Sequence, residues 1–113
     1  MGAFVDGLRA LKRGVEDKKR DDLAAQVDAL VPKLRDALVV AVEAGSRAEV
    51  LVYRFGCPPG RAHGHVPVSR HVQVVGPGSV SDLLSVVKAA RDRVDPLLHV
   101  REDAQCVLVW VDL

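Results

Sequence analysis

The residues best equipped for chemistry lie between Gly56 and His71, in the run GCPPGRAHGHVPVSRH. It holds one of the chain's two cysteines, three of its four histidines and three prolines, and no acidic residue. Thiolate and imidazole are zinc ligands. On an extended backbone His63 and His65 project to the same side about 6.6 Å apart, whereas His71 lies roughly 20 Å farther along. Ligands must converge to within about 2.0–2.3 Å of one ion, which leaves Cys57, His63 and His65 as the candidate metal set and zinc as the candidate cofactor. A plainer reading of the same residues is alternation. Val66, Val68, Val72 and Val74 fall on one side, while His65, Pro67, Ser69, His71 and Gln73 fall on the other. That is a half-buried strand whose polar face happens to carry histidines. Pro67 confines it to a sheet edge or a strand start. Alternation accounts for more residues than zinc does, so the expectation is a chain without a cofactor, with the metal site as an alternative.

The same region raises a second chemistry. From Val50 to Ser81 there is no Asp or Glu, and the charges are Arg54, Arg61 and Arg70, joined by His71 and its neighbouring histidines. Net charge is 0 over residues 1–49, +3 over 50–81 and −2 over 82–113, so the total of +1 conceals a local positive region. Such a region attracts phosphate, nucleic acid or an acidic protein surface, and it gains charge as histidines protonate. Arg54, Arg61, Arg70 and His71 are the candidate anion-binding or nucleic-acid-binding set. Tyr53, Phe55 and Trp110 would be the stacking residues. No RNP1-like run accompanies them, and in a chain with four aromatic residues the core is the competing destination.

Other chemistry finds little support. The turn VVGPGSVSD, Val74 to Asp82, lacks the Gly-Lys-Ser/Thr of a phosphate loop, and Ser81 stands where a dinucleotide fingerprint has its third glycine. It reads as a tight turn with Ser79 or Ser81 capping a helix. There is no G-x-S-x-G. Cys57 beside His63 lacks a third group in its loop to orient the base. A non-enzymatic protein is therefore the expectation.

These residues must be positioned by a small set of elements. Phe4, Leu8, Leu11 and Val15 follow 4-3-4 spacing, which predicts an amphipathic helix over residues 3–19. After the polar run EDKKRDD, a second stripe of Leu23, Val27, Leu30, Leu34 and Leu38 begins, out of phase by one residue. That break predicts a hinge or helical hairpin, with residues 1–20 as a separate N-terminal helix and 21–113 as the α+β domain. Pro32 should kink or restart the second helix, and Gly45 should end it. Ala48–Phe55 is rich in branched and aromatic residues and reads as a strand. Ser81–Val94 reads as a helix stopped by Pro96. LLHVR and CVLVWVDL read as a hairpin turning at Glu102–Gln105, whose last strand is apolar on both faces and so belongs inside a sheet. The predicted fold is a small mixed or antiparallel sheet packed by helices, in the order α-β-β-α-β-β. EVLVY is echoed in CVLVW, 57 residues on; two repeated αββ units would be a circular permutation of the ferredoxin-like order, and the plainer reading is that two buried strands use the same few residues.

A chain of 113 residues is one domain's worth, and with 49% hydrophobic residues but few aromatics its core must be Val, Leu and Ala. Two cysteines build no disulfide framework. No signal-peptide pattern is present, and no apolar run approaches the ~18 residues of a membrane span. The expected setting is cytoplasmic or inside a macromolecular assembly, neither secreted nor membrane-bound. The N-terminal stripe then carries the functional expectation. At about 25 cal/mol per Å² of apolar area, four such residues are worth several kcal/mol when covered. Phe4, Leu8, Leu11 and Val15 are accordingly the candidate interaction residues of a small structural protein that forms a homo-oligomer or joins a larger assembly, a virus particle being one such setting. Nucleic-acid or phosphate binding by residues 50–81 is the alternative.

Overall fold

Helical spacing up to Gly45 and alternating spacing beyond it set the elements. A computed structural model describes residues 2–56 and 70–113. The order is α1 (Ala3–Glu43), β1 (Glu49–Arg54), β2 (His71–Val74), α2 (Val80–Val94), β3 (His99–Asp103) and β4 (Cys106–Trp110). The expected α+β class and succession of elements are present.

The N-terminal region departs from expectation. In place of two helices joined by a hinge or hairpin there is one helix of 41 residues, and the boundary at residues 20 and 21 lies inside it. At 1.5 Å per residue this helix is about 60 Å long, which sets the 66 Å long axis of the molecule. The physical reason is that a shift in the apolar stripe is not a break in the backbone. EDKKRDD contains no Gly or Pro, and pairs such as Lys12–Glu16 at 3.9 Å and Arg20–Asp17 at 2.6 Å support the helix locally. Once the C-terminal half is nucleated on the domain, each added residue costs little. Pro32 does not end the helix either. The backbone acceptor it leaves behind belongs to Asp28, which is exposed to water. Gly45 stops the helix as expected. At φ 75° it lets Ser46 N–H donate to Ala41 O at 2.9 Å and its own N–H donate to Val42 O at 3.0 Å.

The four strands form one sheet in the order β2-β1-β4-β3. β1 pairs with β2 in parallel, and with β4 antiparallel through Leu51 opposite Leu108. β3 and β4 form the expected antiparallel hairpin. β4 is an inner strand, as its two apolar faces required, and β2 is an edge strand. Val72 and Val74 are buried while His71 and Gln73 are half-buried, matching the alternation. Pro67 and the rest of residues 57–69 lie outside the described residues.

Both helices pack on one face of the sheet. Val50, Val52, Val107 and Val109 meet Leu30 and Leu34 of α1 and Leu83 and Val87 of α2 there. Ser79 caps α2, its hydroxyl accepting from Asp82 N–H at 3.1 Å. On the other face Leu51, Cys106 and Leu108 form a smaller buried cluster flanked by Tyr53 and Trp110.

Candidate functional site

Three surfaces compete for a functional role. The first is the front of α1. Residues 2–22 are all exposed, and Phe4 (80%), Leu8 (49%), Leu11 (66%) and Val15 (62%) present their apolar stripe to solvent. The same helix buries Val27, Leu30, Leu34, Leu38 and Ala41 against the domain. Because the helix is continuous, the one-residue phase shift becomes an angle. Successive residues are about 100° apart around the axis, so the front stripe points roughly a quarter-turn away from the line that meets the sheet. Extending α1 over its own domain cannot bury it.

The outer surface of the anchored half went unread in the sequence. Ala25, Ala29, Pro32, Asp36 and Val39 are exposed. Alternating steps of three and four lead to them from Val15 through Lys18 and Asp22. The signal was spacing alone, hidden because the residues in it change from large apolar to charged to small. At about 100° per residue this row drifts around the helix, from roughly a quarter-turn away from the buried line of Val27, Leu34 and Ala41 at Val15 to nearly opposite it at Ala25 and Pro32.

The second surface is the candidate anion set, which the structure distributes. Arg54 turns back into the fold and donates to Gln105 Oε1 at 2.7 Å and to Gly78 O at 3.2 Å. It thereby ties the end of β1 to the β3–β4 turn and to the turn before α2. Arg70 is 7% exposed. His71 is half-buried on the second sheet face, edge-on to Tyr53 with ring centroids 6.4 Å apart. Arg61 and the candidate ligands Cys57, His63 and His65 lie outside the described residues. Among the described residues no group of three His, Cys, Asp or Glu converges as a metal site.

The third surface surrounds Trp110. His99 stacks on its ring at 5.3 Å and the Arg101 guanidinium sits 5.8 Å from its centroid. The indole is thus occupied by its own neighbours across β3 and β4. Phe55 is exposed (69%) but lies beyond the end of β1. A shallow cavity of about 640 Å³ adjoins Trp110, Arg47 and Asp112 at the C-terminal end of α1. Its wall mixes both charge signs with aliphatic carbon, with no convergent set of polar groups.

Among the described residues no helix is long and apolar enough to cross a membrane. No family model, curated protein or solved structure matches this chain.

Proposed function

We propose that this is a small, non-enzymatic structural protein that self-associates through α1, alone or within a larger assembly. The observation that supports this most directly is the phase shift within one unbroken helix. It leaves Phe4, Leu8, Leu11 and Val15 exposed on a rigid arm, turned away from the apolar surface against which the rear half of the helix is buried. The arm is anchored by the packed half of the same helix. A partner therefore meets a preformed surface and does not bear the ordering cost that a disordered segment would impose.

Light scattering on the eluted protein tests the reading. Wild type should run at a multiple of its 12.2 kDa chain mass at micromolar concentrations. The pair Leu8→Asp with Leu11→Asp should fall to the single-chain mass with unchanged circular dichroism, since both side chains are solvent-facing. A wild type that stays a single chain throughout, indistinguishable from the variant, would overturn the proposal.

A further inference from the structure

The exposed row on α1 specifies how two copies would meet. This inference rests on the self-association proposed above and deepens it by naming the partner surface and its register. Read at alternating steps of four and three, the row runs Phe4, Leu8, Leu11, Val15, then Lys18 and Asp22, then Ala25, Ala29 and Pro32. That is the a/d seam of a coiled coil. Its front third is large, its rear third is small, and two opposite charges stand at the centre. All of these residues are exposed. In the same heptad frame Val27, Leu34 and Ala41 occupy f positions and Leu23 and Leu30 occupy b positions, so the domain packs mainly on the side away from the seam, and its turn at Gly76, Pro77 and Gly78 borders one edge of the seam, where Val15, Lys18 and Asp22 line a cavity with it.

We infer that two copies pair through α1 as an antiparallel coiled coil, with the two-fold axis beside Arg20. In that register three of the four large residues meet an apolar residue of the other copy: Leu11 meets Ala29, Val15 meets Ala25 and Leu8 meets Pro32, while Phe4 meets Asp36 at the end of the strip. Lys18 meets Asp22, twice. The charge of the two halves agrees. Residues 1–20 carry six basic and three acidic side chains, and residues 21–40 carry four acidic and two basic. Antiparallel pairing lays the positive half of each helix on the negative half of the other.

Area separates this register from its rival, in which only residues 4–15 of two copies meet tip to tip. A strip one helix diameter (about 10 Å) wide along the ~50 Å from Phe4 to Asp36 covers about 500 Å² per helix, and about 1,000 Å² over both, which meets the lower bound for a specific interface. The tip-to-tip arrangement spans only ~18 Å and covers about 360 Å² in total, well short of it. One flank opposes the long register. The axis brings each Asp21 near its own copy, as it does each Lys19, but Lys19 is already paired with Asp82 at 3.3 Å.

Charge exchange and thiol cross-linking test the pairing. Lys18→Asp alone and Asp22→Lys alone should each weaken the dimer by tenfold or more, since each places like charges together at two symmetric contacts. The double variant Lys18→Asp with Asp22→Lys should restore it to within a few-fold of wild type. In a Cys57→Ser background, Leu11→Cys with Ala29→Cys should give a covalent dimer with a short bismaleimide, while neither single variant should. Failure of the double exchange to rescue, or efficient linking of Leu8→Cys with Leu11→Cys in place of the Leu11–Ala29 combination, would overturn the register. Either result would leave association through α1 standing if the Asp variants of the stripe still dissociate the protein. A wild type that never dimerises would remove both.

Discussion

The two halves of α1 carry apolar stripes of nearly the same spacing and come to opposite ends. From Leu23 onward the stripe is covered by the sheet and α2, and Leu34 and Ala41 have no exposed surface. Ahead of it every residue from Gly2 to Asp22 is exposed. Length, propensity and periodicity do not distinguish the halves. A single residue of phase does. A helix is stiff in rotation, so once its rear half is seated by the core the direction of every side chain in its front half is fixed. The lesson is that an amphipathic pattern reports only that a face will be buried, whereas the phase between successive patterns reports whether one surface can bury them both.

The strongest way to break this comparison is to truncate the covered stripe. Leu34 packs among Val50, Val52 and Leu83 with no exposed surface, so Leu34→Ala removes both transfer energy and packing. The expected loss is about 2–5 kcal/mol in urea unfolding. A loss below about 1 kcal/mol would mean that the rear half is not seated as described. The next largest effect falls where the seated half begins. Gly76 has φ 117°, and a Cβ there would lie 2.4 Å from Gln26 Nε2. Gly76→Ala should cost about 1–3 kcal/mol through strain and displacement of Gln26 from the turn before α2. The front of α1 should stay helical in this variant.

Much of this was legible beforehand, and the misses share a cause. Gly45 as a helix stop, Ser79 as a cap and the hairpin at Ala104 and Gln105 follow from local chemistry, which acts over a few residues wherever they sit. The inner position of β4 follows from Cys106 to Trp110 being apolar on both faces. The hinge expected before Leu23 is absent because a change of side-chain pattern does not interrupt the backbone, and helix α1 runs through it unbroken. Arg54 looked like an anion ligand because sequence reports charge without reporting where the guanidinium turns. Its bonds to Gln105 and Gly78 reach 51 and 24 residues along the chain. The outer row of α1 was hidden by its mixed composition, since Lys18 and Asp22 interrupt any search for grease.

A subtler intervention sharpens the comparison by altering phase and little else. Deleting Arg20 rotates the front of α1 by about 100° relative to the rear and brings the two stripes nearly into line. Among the described residues Arg20 is exposed and pairs with Asp17 nearby, and the Lys19–Asp82 pair that the rotation would break lies at the surface, where such pairs are worth little, so the unfolding midpoint should move little. The large front residues, however, would no longer share a row with Ala25 and Ala29. Dissociation measured by dilution should shift upward by tenfold or more. An unchanged dimer would show that the front stripe acts without reference to the rear.

The smallest expected effect is the most exacting test of the difference between the halves. Leu11→Ala removes the same atoms as Leu34→Ala from the same kind of helix. Leu11, however, is 66% exposed and Leu34 has no exposed surface. In dilute solution, where single chains prevail, its effect on unfolding should stay within about 0.5 kcal/mol. Alanine's higher helix propensity partly offsets the lost leucine. As concentration rises the two proteins should diverge, because binding to the native state adds stability by mass action and the variant binds less well. The midpoint of wild type should climb with concentration and that of Leu11→Ala should lag behind it. A gap that is already present at the lowest concentration would place Leu11 in the monomer's own core. A gap that never opens would deprive the stripe of its partner.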